Sequence, residues 1–339
     1  MMKIKSIIAV FSLIFAGAIV LTGCGGTQAT KEAAKPDQIV IGVQTIPSGE
    51  PVVKAQYEKE FGTKVIVKQF DSGRDVNTAM AAGSIDIAIL GSAPASIGIA
   101  KGIPYEVFWI HDIEGDNEAL AVKNEANVQT IQELKGRKIA APAGSTAHYS
   151  LLNALKNAGV SASEVTILDM QPPEILAAWQ RGDIDAAYVW QPTLAKLVSD
   201  GRILVTSREL AAKGIVTADV GIVRTDFARK YPDILKKYVA LQGKAYQQFK
   251  DKPEEAAGIV AKDFAIDAAE ALKEMKELIW LAPEEQQDVK YLGTTENKGQ
   301  FGQTLKDTAD FLVEQKAIDH APDLETFNKA VNPSFLGRE

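Results

Sequence analysis

From Ile39 onward, short apolar runs alternate with longer segments whose apolar positions recur every three or four residues. That is the signature of strands and amphipathic helices in turn. Strands are predicted at Ile39–Gln44, Lys64–Gln69, Ile85–Leu90, Glu106–Ile110, Ala119–Lys123, Lys138–Ala141, Glu164–Leu168, Ile184–Val189 and Ile215–Val223. Between them helices are predicted at Pro51–Phe61, Val76–Ala82, Ala95–Lys101, Ile131–Leu134, Ala147–Ala158 and Glu174–Arg181. Such alternation implies mostly parallel sheets with helices on both faces. After Arg224 the pattern becomes helix upon helix: Asp226–Lys230, Pro232–Phe249, Pro253–Asp263, Asp267–Leu278, Pro283–Tyr291, Phe301–Gln315 and Leu324–Ala330. A helical tail of this kind needs a sheet to pack on, so it is expected to return to the first half of the fold.

Two segments about a hundred residues apart share one pattern. Ala79 to Leu90 and Ala178 to Val189 each run from helix-like residues through Gly83 or Gly182 into Ile-Asp-x-Ala and an apolar strand. Glycine after a helix supplies the left-handed turn, and an unbroken apolar run suits a strand buried on both faces. Each strand then stops in a proline-bearing loop, Gly91-Ser92-Ala93-Pro94 or Trp190-Gln191-Pro192.

Ahead of this body lies a different hydrophobic pattern. Lys3 and Lys5 precede an apolar stretch from Ile7 to Leu21, which ends in Leu21-Thr22-Gly23-Cys24. About 15 residues at ~1.5 Å each fall short of a ~30 Å hydrocarbon core. The run reads as a processed signal peptide over residues 1–23, and its ending resembles a bacterial lipobox. Cys24, the only cysteine, is then the lipidated N-terminus and supplies neither a disulfide nor a catalytic thiol. Residues 24–38 are small and polar, a flexible tether.

Composition narrows the field. Removing residues 1–23 deletes two lysines and no acid, so the formal charge moves from −7 to −9. An acidic body excludes nucleic acid and leaves membrane attachment to the lipid. About 300 residues exceed one ordinary core, so two lobes are expected: residues 39–120 with 221–339, and residues 121–220. Three histidines, His111, His148 and His320, are too scattered for a metal site. No phosphate-loop motif occurs, so any ATPase is a separate chain. No cofactor is implied, and a monomer is expected.

In open α/β sheets, ligands sit outside the carboxyl ends of the strands. There the chain places Gln44, then Ser92 or Ala93 at one helix start, then Ser145, Thr146, His148 and Tyr149 at another. Helix N-termini with small hydroxyl residues suit an anion. Asp219 and Glu118 sit at the ends of apolar strands, where either could meet a ligand cation or form a hinge ion pair with Arg224 or Lys123. Trp190 and Tyr188 could wall the cleft or simply pack in a core. Ser145 with His148 three residues on also has the form of a nucleophile and base, but no orienting acid is evident.

The stretches Gln69-Phe70-Asp71-Ser72-Gly73, Leu90-Gly91-Ser92-Ala93-Pro94, Asn117-Glu118-Ala119-Leu120, Thr146-Ala147-His148-Tyr149-Ser150-Leu151-Leu152 and Gln171 to Trp190 resemble the taurine-binding proteins of ABC importers. These lie within the taurine, alkanesulfonate and nitrate substrate-binding family. The resemblance runs from Ile39 to about residue 320. It implies a type II periplasmic-binding fold, two Rossmann-like lobes joined by two crossover strands near Leu120–Lys123 and Val220–Arg224. It also implies a sulfonate held by the Ser92 loop, Ser145 and Thr146, with His148, Tyr149 and Gln44 beside it. Asp219 would meet the ammonium, with Glu118 a weaker candidate and Trp190 a wall. The function implied is binding of taurine and delivery to an ABC permease. Other alkanesulfonates, small anions or, on the same fold, sulfonate or sulfinate cleavage stand as alternatives. Two departures from the family pattern are Ala93, where a second serine is usual, and Gly221, where a bulky aromatic is common.

Overall fold

The computed structural model describes residues 35–337. The signal peptide, Cys24 and most of the tether lie outside the described residues. Ten strands occur among the described residues: β1 (Gln38–Val43), β2 (Lys64–Gln69), β3 (Ile87–Gly91), β4 (Tyr105–Ile113), β5 (Glu118–Lys123), β6 (Lys138–Ala141), β7 (Thr166–Asp169), β8 (Ala186–Trp190), β9 (Gly201–Thr206) and β10 (Ala218–Arg224). They form two five-stranded sheets with orders β2-β1-β3-β10-β4 and β7-β6-β8-β5-β9. The two orders are the same topology. In each, three parallel strands are followed by an antiparallel strand that the chain enters directly from the other sheet. The α/β class and two-lobed architecture are therefore those expected.

The repeated Ile-Asp-x-Ala has the same task in both lobes. Gly83 and Gly182 take φ of 65° and 76° after their helices, a conformation glycine adopts without the Cβ clash. Asp86 then accepts the Val40 N–H of β1 at 2.8 Å, and Asp185 accepts the Lys138 N–H of β6 at 2.9 Å. Arg224 and Arg137 stand beside these aspartates at 3.6 and 3.4 Å. Each aspartate thus satisfies a strand-end amide and fixes the strand entry. The apolar runs that follow, β3 and β8, are buried throughout.

Each sheet has its own apolar core. Ile39, Ile41, Ile87, Phe108 and Tyr238 belong to the first, and Leu120, Ile139, Leu151, Trp179 and Tyr188 to the second. The helices Pro232–Asp251 and Pro253–Phe264 contribute Leu235, Tyr238 and Val260 to the first core, so the helical tail does return to it. A third, smaller cluster joins the halves: Ala93 and Ile97 from the helix Ser92–Ala100, Tyr149 and Leu152 from the helix Thr146–Asn157, and Leu312.

Some expectations shift. The changeovers fall earlier than residues 120/121 and 220/221: β5 from Glu118 already pairs in the second sheet, and β10 from Ala218 in the first. Backbone pairing, rather than the middle of the apolar run, sets the boundary. Pro283–Tyr291 holds one 3-10 turn at Glu285–Gln287 rather than a helix. Strand β9 went unrecognised because its Arg202 and half-exposed edge position break the apolar run.

Candidate functional site

Both crossover strands begin at the gap between the sheets. Asp219 of β10 stands in register with Gly91, the last residue of β3, on one side and with Asp112 of β4 on the other. Gly91 is also the N-cap of the helix Ser92–Ala100. Facing it from the other lobe is the start of the helix Thr146–Asn157, capped by the Ser145 hydroxyl, which accepts the His148 N–H at 3.1 Å. A Cβ built on Gly91 would lie 2.6 Å from Thr146 Cγ2. The two helix mouths are in contact across the gap, and the lobes are closed.

The cleft so formed holds about 340 Å³ of empty space, part of it open to solvent. Five of the residues expected there line it: Gln44, Ser145, Thr146, Trp190 and Asp219. Glu114, Asn117 and Gln191 line it too, and these the sequence reading missed. The available signal was the acid-rich run from Asp112 to Glu118 directly after a strand, of which only Glu118 had been singled out. No lysine, arginine or histidine is among the lining residues.

The other five expected residues lie behind the wall. Ser92 turns its hydroxyl to accept the Ala218 N–H at 3.1 Å and so pins β10 to the helix start. Ala93 and Tyr149 pack in the cluster that joins the lobes, Tyr149 edge-on to Phe311 with ring centroids 5.3 Å apart. His148 accepts the Gly144 N–H through Nδ1 at 3.2 Å, and burial lowers its pKa. That nitrogen serves a backbone amide, so the ring is not poised as a base on Ser145. Glu118 is fully buried, and its oxygens accept Thr146 Oγ1 at 2.5 Å, Ser207 Oγ at 2.8 Å and Ser150 Oγ at 3.4 Å. Gly221 does not line the cleft either: a Cβ there would meet Trp109, Phe108 and His111. The hinge ion pairs are absent, since Arg224 serves Asp86 and Lys123 lies over the Trp179 ring. Tyr188 is a core residue.

The cleft is lined by two kinds of group. Two helix N-termini present first-turn amides without intrahelical acceptors and a positive end of the helix dipole. Beside the Gly91 mouth, one oxygen each of Asp112, Glu114 and Asp219 lie within 4.8 Å of one another, all buried. Both Asp112 oxygens, Asp219 Oδ2 and Gln44 Oε1 are buried without a hydrogen-bond partner among the described residues. Burial first, and then the neighbouring acids, push Asp112, Glu114 and Asp219 well above the usual carboxylate range. Burial raises Glu118 to about 7 even with its three hydroxyl donors. Acceptors crowded in this way need a cation: a proton, a ligand ammonium or a metal ion. The lining therefore offers donors to an anionic group and unsatisfied acceptors to a cationic one.

Polar contacts close the rim from both lobes. Arg74 meets Asp169 at 2.7 Å, Gln171 donates to Ser72 Oγ at 3.1 Å, and Gln191 donates to Glu277 at 2.8 Å. A two-lobed fold with two crossovers and a ligand cleft between its sheets is that of the extracytoplasmic substrate-binding proteins of ABC importers. The chain belongs to the taurine and sulfonate substrate-binding family. Residues 37–300 match the family described as the substrate binding domain of ABC-type glycine betaine transport system. The chain is 36% identical to the taurine-binding periplasmic protein of Escherichia coli K12 over 295 residues, 84% of this chain and 89% of that one. It is 29% identical to a putative aliphatic sulfonates-binding protein of Bacillus subtilis 168, over 95% and 93% of the two chains. Its fold is similar to that of the alkanesulfonate-binding protein SsuA from Xanthomonas axonopodis pv. citri bound to MOPS. There the TM-score is 0.73 at 22% identity, with 88% of this chain and 99% of that chain covered. No helix among the described residues is long and apolar enough to cross a membrane.

Proposed function

We propose that this protein captures taurine, 2-aminoethanesulfonate, in the cleft and delivers it to an ABC permease whose ATPase is a separate chain. The carrying observation is the lining of the cleft: helix mouths at Gly91 and Ser145–Thr146 supply donors for an anion, and Asp219 and Glu114, with no lysine, arginine or histidine among the lining residues, supply acceptors for a cation. The sulfonate lies against the first-turn amides and the Ser145 hydroxyl, with Thr146, whose hydroxyl serves Glu118, beside it, and the ammonium against Asp219 and Glu114. Gln44 Oε1 accepts a further N–H, and Trp190 covers the two-carbon spacer. A sulfonate remains anionic at ordinary pH, so a neutral set of donors is sufficient for it. The likeness to the E. coli taurine-binding protein supports the same choice.

Closure follows from contacts that the ligand makes in both lobes, because a ligand shifts a conformational equilibrium only through differential contacts. The lipid on Cys24 holds the receptor at the outer face of the cell membrane. A Cys24→Ser variant is expected in the soluble extracytoplasmic fraction rather than with membranes. Calorimetry with taurine, ethanesulfonate, isethionate, β-alanine and nitrate tests the assignment. Taurine is expected to bind with Kd on the order of 1 μM, about −8 kcal/mol, and ethanesulfonate far more weakly. Equal affinity for taurine and ethanesulfonate would remove the carboxylates from ligand recognition.

A further inference from the structure

Taurine recognition as proposed requires Asp219 and Glu114, yet a third acid stands behind them. Asp112 is 0% exposed and does not line the cleft. Its place is fixed by the sheet: it is the β4 residue in register with Asp219 on β10. Neither of its oxygens has a hydrogen-bond partner among the described residues, and Asp219 Oδ2, on a residue 3% exposed, has none either. The charged or titratable groups acting on this pair are Glu114 from the β4–β5 connection and Glu118 from β5. Tyr188 of β8, which feels both glutamates, lies beyond them. His111 precedes Asp112 in the chain but directs Nε2 at the Tyr238 hydroxyl at 3.3 Å. No basic side chain offsets the trio.

Two facing carboxylates in a dry site cannot both hold charge, and such pairs share a proton. We propose that Asp112 is a positioning residue for amine recognition: in the empty cleft it shares one proton with Asp219, and the arriving ammonium displaces it. The exchange is balanced. One proton leaves the aspartate pair for solvent as one ammonium takes its place, and no bond of the ligand is broken. With the proton present, Asp219 presents a hydrogen-bonded acid rather than an unpaired anion, and the empty cleft remains stable. With the ammonium present, one positive charge again stands against the pair, so its net charge is the same as with the proton. A sulfonate without an amine leaves the proton in place. Asp112 thus makes the gain from an amine depend on pH although it never touches the ligand.

The inference rests on taurine as ligand, and its test separates the two. Calorimetric titrations in buffers of different ionisation heat count protons released per ligand bound. Taurine is expected to release close to one proton and ethanesulfonate none. The taurine Kd should tighten by up to about tenfold per pH unit as pH rises above the ordinary carboxylate range. Asp112→Asn, and Asp112→Ser as an independent variant, should bring proton release close to zero and flatten that slope. Taurine binding without proton release would overturn the proposal, as would wild-type release in both variants. Infrared spectra of the ligand-free, chelator-treated protein decide the matter even if taurine does not bind. A carboxylic-acid carbonyl band lost in Asp112→Asn and in Asp219→Asn supports the shared proton. Absence of that band, or its appearance only after chelation, refutes it.

Discussion

Asp219 and Glu118 occupy corresponding places in two sheets of one topology. Each sits on the crossover strand, opposite the last residue of the third parallel strand: Asp219 against Gly91, Glu118 against Trp190. Their surroundings differ. Glu118 receives three hydroxyls and does not line the cleft, whereas Asp219 lines it with Oδ2 unpartnered. The acceptors of Glu118 are filled by the fold, whereas Asp219 keeps one free at the cleft, as the proposed contact with an ammonium requires. Topology alone does not tell the two apart; the hydroxyls of Thr146, Ser150 and Ser207 do.

The sharpest way to break this contrast is at Asp219. Asp219→Asn should weaken taurine by roughly a hundredfold or more, consistent with about 2–5 kcal/mol for losing one partner of a buried charge pair. Ethanesulfonate should change little. Calorimetry with both ligands on both proteins checks this, and equal losses for the two ligands would abolish the distinction between the acids.

Glu118 should respond in stability rather than in selectivity. Its carboxyl is raised to about 7 by burial, so the folded form binds more protons than the unfolded chain between the ordinary carboxylate range and about pH 7. Stability therefore falls as pH rises through that window, by on the order of 3 kcal/mol at 1.4 kcal/mol per unit. Glu118→Gln should remove this part of the slope in denaturant titrations of the ligand-free protein. Taurine-to-ethanesulfonate discrimination should survive the substitution.

A third test acts at the helix mouths and should spare the contrast altogether. Gly91 has φ of −64°, which any residue adopts, so Gly91→Ala acts through space alone. Its Cβ would meet Thr146 Cγ2 at 2.6 Å, which forces the helix mouths apart at about 1–3 kcal/mol. Taurine and ethanesulfonate should weaken together, roughly tenfold, because both rely on closure around the sulfonate.

Much of this was legible in the sequence. The repeated Ile-Asp-x-Ala marked corresponding strand entries because one aspartate-to-amide bond is needed in each lobe. Gln44, Ser145, Thr146, Trp190 and Asp219 were placed because they follow strand ends, where the topology opens a cleft. What could not be read was direction. Ser92 and Ser145 look alike as helix-start serines, but only the folded backbone brings the Ala218 N–H to Ser92. Ala93 and Tyr149 sit at the right helix starts and face the neighbouring lobe's apolar side chains instead. Asp112 was missed because its importance comes from a pairing with Asp219, more than a hundred residues away.

The smallest effect is expected at the rim. Arg74 and Asp169 meet at 2.7 Å across the lobes, with side chains 46% and 48% exposed. Surface pairs of this kind contribute about 0–1 kcal/mol and weaken with salt. Arg74→Ala should therefore weaken taurine and ethanesulfonate alike by no more than about fivefold, most clearly at low ionic strength. Association and dissociation rates should show where the loss falls. A contact formed only on closure slows opening, so the dissociation rate should rise while the association rate holds. If Arg74→Ala instead altered the ratio of the two affinities, the rim would be sensing the amine. Discrimination could then no longer be assigned to the buried acids alone.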